Sequence, residues 1–463
     1  MKGDRAARSS RDLILMKRSP ILILFVTLFL DLLGFGLIIP LIPSYIEHYG
    51  GKPWVGGALL ACYSLMQFVC APLWGKLSDR IGRRPVILAG LIGSASAFLA
   101  FGLAPNLLVL FIARVCAGAL TAASLPTAQA YIADVTPPEK RSGGMALLGI
   151  AFGLGFAFGP AVGGYAARYS LPILHNAPIQ TPALIAAGLS FLNFLWAVFM
   201  LPESHFPGDP PAGLKQESLF TVFPDIARVM SNPQVKAQML VYAFVTFSFT
   251  AVESAFSWLI ILRFHDVLSV MAQHLWTSAH PGLLWTSMTA HARELQVEAM
   301  QGAETSHIFL LVGVTSLVVQ GFIVKGLTRI LPENRMVMVG VFLMVLALMG
   351  IAVAHTLGAM EWVSVVLAIG TSMNNPALFA LITQAAGPNE RGTLTGAQQG
   401  LGSLARIISP PINTYMVQKK ASLPFFASAA IMLVGFMLSL RLKPLKQNAA
   451  DSNNDGAQGA VHP

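Results

Sequence analysis

Four ionisable side chains stand inside long apolar stretches of this 463-residue sequence: Asp31, Arg114, Glu253 and Arg406. A charged group at the centre of a membrane helix costs about 2.5–3.5 kcal/mol on insertion scales, so such groups usually serve a function. A carboxyl group can take up and release a proton as its surroundings change. Asp31 and Glu253 are therefore candidates for proton coupling, together with Arg114, whose fixed charge would pair with Asp31 or with a substrate anion and so tune acidity. A purely structural role is the alternative for each of these groups. Arg406 is the expected charge partner of Glu253.

The elements that must position these groups are membrane-spanning helices. Hydrophobic residues make up 55% of the chain and charged residues only 11%, against roughly 25% charged in ordinary soluble proteins. No Asp, Glu, Lys or Arg occurs in residues 54–74, 85–113, 336–360 or 362–389. A bilayer core needs about 20 apolar residues per helix, and the alternating pattern of a membrane β-barrel is absent. The composition predicts an all-α polytopic membrane protein and argues against a soluble enzyme.

Twelve apolar segments can be marked along the chain. They lie near residues 20–45, 54–74, 85–103, 107–133, 143–167, 182–201, 238–262, 308–327, 336–354, 362–385, 393–417 and 423–442. The first six resemble the last six, because a shift of 250 residues places Pro160 on Pro410 and a shift of 222 places Asp31 on Glu253. Two six-helix repeats are a standard plan for secondary transporters, with the substrate bound between the repeats near the midplane.

The repeats and the charges set the expected domain boundaries and topology. We expect a basic cytosolic tail, an N-terminal six-helix bundle, a cytosolic linker, a C-terminal six-helix bundle and a disordered cytosolic tail over residues 1–18, 19–201, 202–236, 237–442 and 443–463. The difference between the two shifts predicts a long external loop over residues 264–306. With both termini in the cytosol, 22 Lys and Arg residues fall on the cytosolic side and 6 on the other. The positive-inside rule therefore favours this orientation.

The loop after the second segment reads GKLSDRIGRRP, from Gly75 to Pro85. It resembles the signature of the major facilitator superfamily, G-x-L-x-D-R-x-G-R-R/K. The resemblance implies a fold of two pseudo-symmetric six-helix bundles, which contacts of this loop hold together on the cytosolic side in one state of the protein. The residues that it assigns to this cytosolic gate are Gly75, Asp79, Arg80, Gly82, Arg83 and Arg84.

A second motif lies in the fifth segment, which reads GIAFGLGFAFGPAVGG. Gly155, Gly159 and Gly163 recur every four residues, so they share one helix face and permit another helix to approach closely. With Pro160 and Gly164 they resemble the antiporter motif of the superfamily, G-x-x-x-G-P-x-x-G-G, which is typical of drug–proton exchangers. An ordinary packing face of small residues is the alternative interpretation.

The first half of the chain resembles the tetracycline-efflux branch of the superfamily. The similarity is close over residues 63–85, which read YSLMQFVCAPLWGKLSDRIGRRP. Arg114 and Gly118 resemble the R-x-x-x-G motif of the fourth helix, which the superfamily links to proton transfer. The second half, with Glu253 and Arg406, is closer to eukaryotic tetracycline-transporter-like proteins.

These resemblances imply a proton-coupled antiporter that exports small organic molecules, drug-like, tetracycline-like or anionic, by alternating access. A facilitator or proton symporter of a small metabolite is the first alternative, and a membrane receptor that transports nothing is the second. The polar residues that could line the substrate path are Gln67, Asn374, Asn375 and Gln398.

The expected partners are a small-molecule substrate, protons and the lipid bilayer, with no nucleic acid. We expect a monomer in the plasma membrane or the bacterial inner membrane, with an organellar membrane as the alternative. No cofactor is expected, since the sequence has no G-x-x-x-x-G-K-S/T nucleotide-binding loop. No metal is expected either, because the ten histidines are scattered and show no metal-ligand spacing.

Overall fold

A computed structural model describes residues 20–136, 141–167, 178–204, 233–281, 284–328, 330–384 and 391–442. These residues form helices and turns, with no β-strand among them, so the all-α class is confirmed. The expected tails at 1–18 and 443–463 and most of the expected linker at 202–236 lie outside the described residues.

The described residues up to 204 form eight α-helices. They are α1 Pro20–Ile38, α2 Ile42–His48, α3 Pro53–Ile81, α4 Arg83–Gly102, α5 Leu107–Thr121, α6 Ser124–Val135, α7 Arg141–Ala166 and α8 Thr181–Met200. Pro40 interrupts the first apolar segment, where a short 3₁₀ turn over Ile39–Leu41 separates α1 from α2. This follows from the missing backbone N–H of proline and from its fixed φ angle.

The described residues from 233 onwards form seven more α-helices. They are α9 Pro233–Ala279, α10 Ala290–Val318, α11 Val324–Leu327, α12 Glu333–Val353, α13 Leu357–Gln384, α14 Arg391–Lys419 and α15 Leu423–Ser439. In the described part of the chain, nine helices are long and apolar enough to cross a membrane, counting α1 with α2 and α5 with α6 as single spans. The number of twelve spans stays a prediction.

The prediction of a long loop over residues 264–306 is wrong, because most of this segment is helical. Helix α9 continues to Ala279 and α10 already begins at Ala290. The sequence from Asp266 to Ala279 contains neither glycine nor proline, so nothing local stops the helix at the end of its apolar run. Near the end of α9, the ring of Trp276 packs edge to face against Trp285, which lies in a short 3₁₀ turn over Trp285–Ser287 before α10.

Most helix contacts among the described residues stay within one half of the chain, and two helix pairs supply most of those that join the halves. Helix α3 packs against α14, and α7 packs against α10. In the first pair, a Cβ atom on Gly57 would overlap the Thr414 hydroxyl and lie 2.5 Å from the Pro410 carbonyl oxygen. In the second pair, a Cβ atom on Gly164 would overlap the Ser306 hydroxyl. The two halves therefore touch backbone to backbone; we call the surface around Gly57 and Gly164 the closed face.

Candidate functional site

A cavity of about 150 Å³ lies between the two halves of the chain. Helices from both halves supply its polar lining, which includes Asp31, Tyr63, Gln67, Thr250, Glu253 and Arg406. The structure therefore brings together four residues that the sequence singled out on four different helices. The cavity is smaller than the 300–1,000 Å³ usual for small-molecule sites, so a drug-sized substrate requires the helices to move apart.

The two carboxyl groups enter this cavity from opposite halves. Asp31, on α1, is half-buried and accepts a hydrogen bond of 2.9 Å from the Ser94 hydroxyl. Glu253, on α9, is half-buried, whereas Arg406, on α14, is exposed. No ion pair within 4.0 Å joins Glu253 to Arg406 in this conformation. Two carboxyl groups and one cation therefore line the same cavity.

Tyr63 is a cavity residue that the sequence reasoning missed. Its hydroxyl accepts a hydrogen bond from the Gln67 side chain and lies 3.0 Å from the Thr121 hydroxyl. Residues four apart share a helix face, and Tyr63 lies one turn before Gln67, which the sequence had already indicated. This spacing could have identified Tyr63.

Arg114 lies behind Tyr63 rather than in the cavity. Its side chain is 2% exposed, and its guanidinium carbon stands 4.7 Å from the Phe101 ring centre and 5.8 Å from the Tyr63 ring centre. Aromatic faces attract cations, more strongly when the group is removed from water. No carboxylate of the described residues lies within 4.0 Å of Arg114, so the expected pairing with Asp31 is not formed in this conformation.

Three of the four polar residues expected on the substrate path lie elsewhere. Asn374 is fully buried between α12 and α13, where its amide nitrogen is 3.2 Å from the Met344 sulfur. Asn375 is exposed on α13, and Gln398 is buried on α14 outside the cavity lining. Only Gln67 of this set reaches the cavity.

The signature loop forms a network around Arg83. The guanidinium group contacts Asp79 and lies 3.1 Å from the Asp134 carboxylate, while the Arg83 backbone N–H donates to Glu203 at 2.8 Å. Gly82 ends α3 with a φ angle of +102°, a conformation that favours glycine. Gly75 is buried, Arg80 is exposed, and Arg84 donates to the Val198 carbonyl. These contacts of Arg83 and Arg84 lie within the first half of the chain.

We expect Arg83→Ala to destabilise the protein by about 3–5 kcal/mol, the usual cost of removing one partner of a buried ion pair. The Asp134 side chain is only 6% exposed and would lose its cation. Thermal unfolding of the purified protein in detergent measures the effect. Arg80→Ala is the matched control, because it removes the same charge from an exposed position three residues away. Equal stability of the two variants would contradict this account.

The glycines of the fifth segment bring α7 against two neighbours. Gly155 and Gly159 face α1, where a Cβ atom on Gly159 would lie 2.7 Å from the Gly36 Cα atom. Pro160 is buried in the same contact, and Gly163 faces the backbone of Leu37. Gly164 instead faces α10 at the closed face. Helix α7 therefore links the helix that carries Asp31 to the second half of the chain.

The chain is similar to known membrane transport proteins along most of its length. The sequence profile of the Major Facilitator Superfamily matches residues 24–410 and 281–462. The tetracycline resistance protein of class E from Escherichia coli is 29% identical over 399 residues, which cover 86% of this chain and 87% of the relative. Major facilitator superfamily domain-containing protein 10 from Bos taurus is 25% identical, covering 91% and 92%.

Two solved structures share the fold. The crystal structure of the human organic anion transporter MFSD10 (TETRAN) superposes with a TM-score of 0.62 at 24% identity, covering 90% of this chain and 98% of the other. A bacterial homologue of the human lysosomal transporter Spinster, in an inward-facing and unoccupied conformation, gives a TM-score of 0.67 at 15% identity, covering 91% and 96%. The expected fold class is confirmed.

Proposed function

This chain belongs to the Major Facilitator Superfamily and is a multi-pass membrane transport protein rather than an enzyme, and we propose that it exchanges a small organic molecule for protons by alternating access. The substrate occupies the cavity between the two halves. Protons bind Asp31 and Glu253 in turn as the cavity opens to one side of the membrane and then to the other.

One observation carries this proposal: carboxyl groups from both halves line a single cavity together with Arg406. A carboxyl group favours its neutral form in an apolar surrounding and its charged form near a cation. When the two halves move relative to each other, the apolar surroundings of Asp31 and Glu253 change, and so does their distance from the cation. Protonation is thereby tied to the direction in which the cavity opens, which is what coupled transport requires.

The lining also bears on the class of substrate. Arg406 lines the cavity, where a cation attracts an anionic group, and the rings of Phe35, Tyr63 and Phe98 offer apolar surface. The relatives include proteins named for tetracycline resistance and a human protein described as an organic anion transporter. We therefore propose an aromatic substrate that carries an acidic group. One chain supplies both sides of the cavity, which supports a monomeric transport unit.

The contacts between the halves bear on which side of the membrane the cavity faces in this conformation. The halves touch at the closed face, while the Arg83 network, at the other end of α3, stays within the first half. We propose that the closed face points to the outside and that the signature loop lies in the cytosol. In this state the cavity opens towards the cytosol, and transport requires the closed face to separate.

Proton flux in proteoliposomes tests the proposal. Vesicles that contain the purified protein are loaded with a pH-sensitive dye and with either tetracycline or a naphthalene disulfonate, and are then diluted into substrate-free buffer. Antiport predicts that substrate efflux acidifies the lumen, because each departing substrate is exchanged for entering protons. Protein-free vesicles supply the baseline.

The sign of the signal separates the alternatives. Alkalinisation of the lumen during substrate efflux would identify a symporter, and substrate efflux without proton movement would identify a facilitator. Either result would overturn the proposed antiport. Absence of flux for both probes and for a wider set of aromatic acids would overturn the proposed substrate class.

A further inference from the structure

Three metal-ligating side chains meet between α10 and α13. Glu304 and His307 stand three residues apart on α10, so they share one face of that helix. Glu361 reaches them from the first turns of α13, and its carboxylate oxygen lies 3.3 Å from His307 Nδ1. One ligand atom from each of the three residues lies within 4.8 Å of the other two. This cluster is separate from the cavity that holds Asp31 and Glu253.

The composition of this cluster suits a cation. Two carboxylates held close together repel each other unless a positive charge lies between them. Histidine nitrogen and carboxylate oxygen atoms are ligands that Zn²⁺ accepts at about 2.0–2.2 Å. The three ligands belong to two membrane helices rather than to loops, so their backbones are fixed. Small side-chain rotations would bring all three ligand atoms onto one metal ion.

We propose that Glu304, His307 and Glu361 form a Zn²⁺-binding site. The His307 side chain is 52% exposed and the Glu361 side chain 34% exposed, so the cluster lies at the protein surface and leaves room for a fourth ligand. The rival account is a protonated His307 that pairs with the two carboxylates without any metal.

The site lies on a helix that takes part in the closed face. Gly302 and Ser306, on either side of Glu304 in α10, are the residues that a side chain on Gly164 of α7 would meet. An ion that joins α10 to α13 would stiffen α10 where it meets the first half of the chain. We therefore expect Zn²⁺ to raise the thermal stability of the protein, since a ligand that binds only the folded state stabilises that state.

The test uses the full-length protein, purified with an affinity tag that contains no histidine. Zn²⁺ binding is measured by titration calorimetry, and Co²⁺ is added as a coloured substitute whose visible spectrum reports nitrogen and oxygen ligands. The expected result is a saturable site in the wild type that is at least about 100-fold weaker in His307→Ala, since loss of a supporting residue alone costs 10–100-fold.

Two further variants complete the test. Glu361→Gln keeps the size of the side chain, and we expect it to lose Zn²⁺ affinity by the same factor. It tests the proposed site if His307→Ala folds poorly. His265→Ala is the matched control, because His265 lies 3.7 Å from Glu294 in an exposed pair outside the proposed ligand set. Wild-type affinity in His307→Ala and Glu361→Gln, an equal loss in His265→Ala, or absence of saturable binding in the wild type would each overturn the proposal.

Discussion

Asp31→Asn is expected to abolish substrate accumulation driven by a proton gradient, bringing it down to the level of protein-free liposomes. Asparagine keeps the size of the side chain and can still accept the hydrogen bond from Ser94. It cannot take up or release a proton at neutral pH. The cavity should therefore still bind substrate, and exchange of substrate for substrate should continue. Both activities are measured in proteoliposomes, with and without an imposed pH gradient.

The split between these two activities is what makes the test specific. A variant that has lost its fold loses both, whereas a variant that has lost its proton carrier loses only the first. Asp31→Glu, which keeps a carboxyl group, should retain part of the gradient-driven uptake. Asp266→Asn removes a fully exposed carboxylate and should change neither activity. If Asp31→Asn accumulates substrate like the wild type, Asp31 does not couple the proton.

Gly164→Ala is expected to lower transport by roughly 5- to 150-fold without unfolding the protein. The added Cβ atom would overlap the Ser306 hydroxyl and would lie 2.7 Å from the Gly302 carbonyl oxygen. Overpacking of this kind typically costs about 1–3 kcal/mol, and that cost falls on the state in which the closed face is shut. A free-energy change of about 1–3 kcal/mol shifts the ratio of two states by roughly 5- to 150-fold. Initial rates of substrate flux in proteoliposomes measure the change.

The control lies in the same helix. Gly153→Ala makes the same substitution on α7, at a position where a Cβ atom would meet nothing within 4 Å. Both variants gain the helix propensity of alanine, so a difference between them reports contact with α10. Ser306→Gly, which removes the hydroxyl that the new Cβ atom would strike, should restore part of the activity of Gly164→Ala. Equal transport by Gly164→Ala and Gly153→Ala would show that the closed face tolerates the extra atom.

The Asp31 and Gly164 variants test two different steps of one mechanism. The Asp31 variant tests whether a proton is carried, and the Gly164 variant tests whether the two halves of the chain must meet and separate. Helix α7 connects them physically, because its Gly155 and Gly159 pack on the helix that carries Asp31 while its Gly164 packs on the second half. In the proposed mechanism, movement at the closed face would reach the cavity through this one helix.

Much of the architecture could be predicted from the sequence, because the bilayer imposes strong local rules. Runs of about 20 apolar residues must become helices, since lipid offers no hydrogen bonds to the backbone. The GKLSDRIGRRP loop and the repeat that pairs Asp31 with Glu253 then indicated the superfamily and the two groups that share the cavity. The length of α9 was missed, because apolar content marks only where a helix crosses lipid and not where it ends.

What the sequence determined by itself was the helical membrane class of the protein and the few charges placed within its apolar segments. What only the tertiary structure decided was the partner of each charge. Arg114 lies against the Phe101 and Tyr63 rings instead of pairing with Asp31, and His307 meets Glu361 from a distant part of the chain. Partners depend on how each helix is rotated and where it crosses its neighbours, which many weak contacts fix together. No local stretch of sequence contains that information.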